Sequence, residues 1–205
     1  MTILEPTTQK LIDQFAPARG PSLPTLSPTA ARLAFAQLQE TRAIKQPASV
    51  EDRTFPVGPT GPHASASFAR WDRRERRRWS CGSTAAAGSS ATKIRTIGLI
   101  REIAHGTGAA VVFVDYDRSP EARYPVALEQ AYAATKSVAT HGEELDLDSS
   151  RLALAGERAG GNLVAVVSLL AKERGGPAIR FQLMYYPVTD ASFSERSYDE
   201  FAEGP

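Results

Sequence analysis

Apolar residues recur at two different periods along this chain, and the changes of period mark its elements. Over residues 7–41 the spacing is helical. Leu11, Ile12 and Phe15 make one short apolar stripe. After a Pro/Gly-rich break, Ser27 is placed to cap, and Pro28 to open, a second helix carrying Leu33, Phe35 and Leu38. Residues 51–61 (EDRTFPVGPTG) then predict a short strand closed by a Pro/Gly turn. From Leu99 onward the elements alternate. Residues 99–104 read as the end of a helix, and 109–116 (AAVVFVDY) form a continuous apolar run, as in a parallel strand covered on both faces. Pro125 can open a helix in which Leu128, Ala131, Tyr132, Thr135 and Val138 follow at helical spacing. RLALA at 151–155 predicts a second buried strand, GERAGG a tight turn, and 162–174 a helix. That helix is apolar nearly all round, because Val164 and Leu169 add to Leu163, Val166, Val167 and Leu170, so it is expected to be covered. Residues 179–186 predict a third strand. Strand, helix, strand, helix, strand with short turns means a mostly parallel sheet flanked by helices, an α/β chain.

One zone breaks this order. Residues 63–98 hold the arginine run RWDRRERRRW and the small-residue stretch SCGSTAAAGSSAT, with neither helical nor strand periodicity over most of their length. Taken literally they are a loose basic, Ala/Ser-rich insert. An RNA-binding segment has a similar run of arginines, but Trp71 and Trp79 alone make a poor stacking platform. A shifted reading frame or a solvated loop is the expected origin of the run.

Bulk composition narrows the picture further. The chain has 205 residues, 42% of them hydrophobic, enough for one domain with a sizeable core. A net charge of +1 gives no overall field to select nucleic acid, an anionic membrane or an acidic substrate. The lone Cys81 excludes an internal disulfide and a cysteine-rich metal site, and fits a reducing compartment. No stretch is long and apolar enough to span a bilayer, and the amino terminus does not read as a signal peptide. The expectation is a cytoplasmic protein with no membrane and no nucleic-acid partner. Nothing in the sequence sets its oligomeric state.

The chemistry is concentrated at the turn after RLALA. A strand running into Gly156, Glu157, Arg158, Ala159, Gly160 and Gly161 and then a helix has the layout of a nucleophile elbow. Glycines let the backbone turn sharply. The helix points its free N–H groups and positive end at the apex, and the Ala159 N–H is placed to serve as an oxyanion donor. The apex residue, however, is Arg158.

Three stretches, VVFVDYDRSPEARYPVALEQAYAATKSV, DSSRLALAGERAGGNLVAVVSLLAKERGGP and RFQLMYYPVTD, resemble the hormone-sensitive-lipase-like carboxylesterases, a family of α/β-hydrolases. Residues 7–62 resemble that family's amino-terminal cap helices and first strand. The resemblance implies a partial α/β-hydrolase fold, with cap helices over 1–50 and the amino-terminal part of the hydrolase domain over 51–205. It implies hydrolysis of a small acyl ester by a serine nucleophile through an acyl-enzyme, with no metal and no organic cofactor. In the family the elbow reads Gly, Asp, Ser, Ala, Gly. Glu157 therefore stands at the Asp and Arg158 at the serine, and a guanidinium is never deprotonated in a protein and cannot attack an ester. The family's catalytic Asp and His lie well beyond a YPVTD segment, so a chain closing at Pro205 is expected to be truncated and catalytically defective. His63, His105 and His141 match neither place and are expected at the surface. Ser149, Ser150 and Ser168 are not expected to replace the nucleophile.

The family's second signature, an HGGG loop just before Leu99, is absent from the literal sequence. Read one base out of frame, codons compatible with residues 79–90 admit VLWFHGGGWVLG, and Thr84 to Ala87 are what HGGG becomes under that offset. A gene whose codons for Ser83 to Ala87 are incompatible with CAC-GGC-GGC-GGC would exclude this frame reading. The alternative function for the literal chain is a non-catalytic fragment or an anion-binding protein that uses Arg158 at a helix N-terminus.

Overall fold

The computed structural model describes residues 5–15, 25–40, 49–55, 64–70, 80–83, 93–145 and 147–200. Two amino-terminal helices come first, α1 (Pro6–Phe15) and α2 (Pro28–Glu40). Ser27 caps α2 as its position predicts, its hydroxyl accepting the Ala30 N–H at 3.2 Å. Glu5 does the same for α1, accepting from the N–H groups of Thr7 and Thr8 at 2.9 and 3.0 Å. Those bonds, the Thr7 one foremost, hold its carboxyl below the usual range.

Six strands build one sheet: β1 (Ser49–Phe55), β2 (Ala64–Arg70), β3 (Ser80–Ser83), β4 (Ala110–Asp115), β5 (Ala153–Glu157) and β6 (Phe181–Tyr185). Between and after them run α3 (Lys93–Thr107), α4 (Val126–His141), α5 (Ala159–Glu173) and α6 (Arg196–Glu200). The spatial order is β1-β2-β4-β3-β5-β6. β1 and β2, and β2 and β4, pair antiparallel; β4, β3, β5 and β6 are parallel. The mostly parallel sheet predicted from the alternating elements is therefore present, with helices on both faces.

Where it is described, the zone 63–98 departs from the expectation of a loose insert. It supplies β2, β3 and the start of α3. The small residues of β2, ASASFAR, mute its alternation, and SCGS in β3 has no apolar run at all. Position comes instead from the neighbours. Ser80–Ser83 register against Ala110–Phe113 on one side, and Cys81–Ser83 against Ala153–Ala155 on the other. A ladder of backbone hydrogen bonds needs no side-chain signal. His63, residues 71–79 with both tryptophans, and residues 84–92 lie outside the described residues.

β4 shows why its sequence is apolar throughout. Val111 and Phe113 pack on one face against Ile100 and Ala104 of α3, together with Ala155. Val112 meets Val138, Leu145, Leu147 and Leu152 on the other. In β5, Leu154 packs with Leu128 and Ala131 of α4 and with Val164 and Val167 of α5. Each such side chain removed from water contributes roughly 1.5–3 kcal/mol, which makes these layers the stable frame under the sheet's carboxyl end. α5 is less covered than its composition predicts: Val164, Val167 and Ala171 are buried, but Leu169 is 58% exposed. Among the described residues the helix packs on the sheet and α4 along one side, and Leu169 lies off that side.

The loop from β4 to α4 is pinned at several points. Buried Gln130 exchanges two bonds with Asp117: its Oε1 accepts the Asp117 N–H, and its Nε2 donates to Oδ2, both at 2.8 Å. Arg32 of α2 donates to both Glu121 carboxylate oxygens at 2.8 and 2.7 Å and to the Ser119 carbonyl at 2.7 Å. These bonds hold the Glu121 carboxyl down at about 2. Arg118 pairs with Asp115 at 3.1 Å. Within the helix that follows, no carboxylate, lysine, arginine or histidine is buried, and the core takes Gln130 as an uncharged amide bonded to Asp117.

Candidate active site at the strand-to-helix elbow

β5 runs through Gly156 to Glu157, and α5 begins at Ala159. The GERAGG turn is thus tighter than its sequence predicts, because the whole reversal falls on Arg158. Gly160 and Gly161, read from sequence as turn residues, are buried in the first turn of α5. Arg158 has φ 53° and ψ −117°, a backbone state that costs a non-glycine residue on the order of 1–3 kcal/mol and persists only where its surroundings over-determine it.

Those surroundings come from β6 and the three residues after it. The Arg158 N–H donates to the Tyr185 carbonyl at 3.0 Å, and the Arg158 carbonyl accepts from the N–H groups of Asn162 and Val188, each at 3.1 Å. The Asn162 side-chain amide donates to the Val188 carbonyl at 2.8 Å. Tyr186, itself at φ 33°, donates its hydroxyl to Glu157 Oε2 at 2.7 Å. Pro187 closes the arrangement against Gly161. A Cβ at position 161 would lie 2.9 Å from Pro187 Cβ and 3.1 Å from its Cα. Glycine is required there by close approach. This buttress was not singled out from sequence; its signal was the YPV of RFQLMYYPVTD.

The Arg158 side chain is exposed, and no hydrogen bond or ion pair of its guanidinium is found among the described residues. Behind it, the N–H groups of Ala159, Gly160 and Gly161 open α5, where a helix has no internal acceptors to offer. The other candidates are elsewhere. His105 is exposed in the last turn of α3, and His141 ends α4 with Nδ1 3.3 Å from the Ser137 carbonyl. Ser150 donates its hydroxyl to Asp148, and Ser168 to the Val164 carbonyl within α5. Neither serine is at the elbow. β3 ends at Ser83, directly ahead of the residues that the frame reading assigns to HGGG, and its parallel pairing with β5 sends the chain toward the elbow's end of the sheet. Among the described residues no cluster of His, Cys, Asp and Glu could hold a metal ion, and no helix is long and apolar enough to cross a membrane.

A family model described as alpha/beta hydrolase fold matches residues 82–205, more than half of the chain. The chain belongs to the alpha/beta hydrolase fold family. Among members of that fold with curated names, it is 46% identical over 108 residues to Esterase LipI of Mycobacterium tuberculosis, a match covering 53% of this chain and 34% of LipI. It is 45% identical over 105 residues to Carboxylesterase NlhH of the same organism, covering 51% and 33%. In three dimensions it resembles a thermostable esterase from Pseudomonas putida with a TM-score of 0.90 and 39% identity, over 97% of this chain and 62% of that one. A hyperthermophilic esterase from the archeon Pyrobaculum calidifontis gives 0.85 and 30%, over 100% and 65%. The chain thus spans about a third of the length of the curated relatives it matches. The carboxylesterase-type hydrolase fold expected from the three quoted stretches is the fold observed.

Proposed function

We propose that this chain carries the elbow scaffold of a carboxylic ester hydrolase without the acyl transfer that such a scaffold performs. The carrying observation is Arg158 at φ 53° at the apex between β5 and α5. A serine there would present its hydroxyl above the helix N-terminus, with the Ala159 N–H beside the developing oxyanion. Arg158 presents a permanent cation with no lone pair to attack a carbonyl. The esterase relatives support a small acyl ester as the substrate of a serine-bearing counterpart. On this reading residues 1–50 form the cap, 51–205 belong to the hydrolase domain, and the protein works in the cytoplasm. The frame reading of residues 79–90 would put the second oxyanion loop beside this elbow.

The test is hydrolysis of p-nitrophenyl butyrate by the unmodified chain and by Arg158→Ser, with a serine-directed phosphonate as probe. The unmodified chain is expected to give no phosphonate-sensitive turnover and no covalent adduct. Turnover that the phosphonate abolishes would overturn the reading. A second reading, in which Arg158 holds a small carboxylate or phosphate, is favoured by its exposed guanidinium at a helix start. It requires a rise in melting temperature with acetate or phosphate that disappears in Arg158→Gln.

A further inference from the structure

A groove of about 290 Å³ opens between the first turns of α4 and α5, close to the lower edge of the range of roughly 300–1,000 Å³ usual for small-molecule sites. Its walls are mainly apolar, with Ala122, Leu128, Leu163 and Val166, and Ser119, Arg123 and Asn162 add polar groups. Most ionised groups near it are paired, Asp115 with Arg118, Glu121 with Arg32 and Glu129 with Arg174, while the Asp117 carboxylate accepts from the uncharged Gln130 amide. Arg123 is exposed and has no acidic partner among the described residues. Its carbonyl is fixed by the Val126 N–H at 3.0 Å, which anchors its backbone at the start of α4. The groove therefore joins a mainly apolar interior to a cation that is unmatched among the described residues, beside two helix N-termini whose dipoles also favour negative charge.

We propose that this groove binds a short aliphatic carboxylate, the alkyl chain lying on Leu128, Leu163 and Val166 and the carboxylate held by Arg123. Burial of the chain supplies the non-directional part of the affinity, and the charge-assisted bond to the guanidinium supplies the selection for an anion. The site does not use Arg158, and it stands or falls separately from the readings of the elbow.

Isothermal titration of the full chain with octanoate, acetate and 1-octanol at constant ionic strength tests it. Octanoate is expected to bind saturably and about ten-fold or more tighter than either acetate or 1-octanol, because only octanoate offers both halves of the ligand. Arg123→Gln is expected to weaken octanoate about ten-fold and leave 1-octanol unchanged, while Arg123→Lys retains most of the affinity. Ala122→Trp, which fills the groove, is expected to abolish binding, and Arg158→Gln to leave it intact; each variant is scored only with a cooperative melt matching the parent. Equal binding of octanoate and 1-octanol, undiminished binding in Arg123→Gln, loss confined to Arg158→Gln, or no saturable binding of octanoate would each overturn the proposal.

Discussion

β3 and β5 lie side by side in the sheet, paired residue to residue over Cys81–Ser83 and Ala153–Ala155. Their sequences describe their places in opposite ways. Leu154 and Ala155 of β5 are buried and packed against helices on the two faces of the sheet, so β5 is specified by what its own side chains bury. β3 reads SCGS and carries no such information. It occupies the slot between β4 and β5 through backbone bonds to both. A central strand can thus be defined either by its own side chains or by the unmet hydrogen-bonding groups of its neighbours, and the two kinds respond differently to mutation.

The largest expected effect tests the side-chain half of that contrast. Leu154→Ala should lower stability by about 2–5 kcal/mol in urea unfolding, because it opens a cavity among Leu128, Val164 and Val167. The complementary change is Gly82→Pro, which removes a backbone donor from the centre of the sheet. A loss of about 1–3 kcal/mol is expected, and an unchanged midpoint would mean that the β3 ladder contributes nothing.

At the elbow, Gly161→Ala should destabilise by about 1–3 kcal/mol, since the added methyl meets the Pro187 backbone. Gly106→Ala, in α3 with nothing within 4 Å of the new methyl, should instead gain about 0.5–1 kcal/mol. Thermal melts of the two variants side by side give the comparison directly. The smallest effect concerns Glu121. Its pKa is lowered to about 2 in the folded chain by Arg32, so the stabilisation is complete above the unfolded carboxylate range near 4.5 and fades as pH falls toward 2. The melting temperatures of the parent and Glu121→Gln should therefore converge as pH is lowered from 5 to 2; a constant gap would mean that the ion pair with Arg32 is not the cause.

The same distinction explains what could be read from the sequence. The α4 stripe, the apolar β4 run and the Ser27 cap were legible because each is a local rule met by residues close together in the chain. The position of the elbow was legible from Gly156, Gly160 and Gly161. That the turn is tight was legible too, but not that the whole reversal falls on Arg158, because the strain there is held by Tyr185, Tyr186 and Val188, a helix away in sequence. β2 and β3 were missed for the same reason: small side chains weaken the period, and the partners that place them are distant in sequence. Arg32 reaching Glu121 and Ser119 had no local signature either.

One consequence follows from how the elbow is held. Among the described residues, each hydrogen bond that shapes the turn at position 158 is made by the backbone of that residue or by groups of its neighbours. An exchange of serine for arginine there is therefore nearly silent in folding free energy. Chaperones and proteases, which respond to unfolding, would handle serine and arginine forms alike. A lineage could lose the reactive group at this apex and keep the protein abundant, and only selection acting on chemistry itself would register the change.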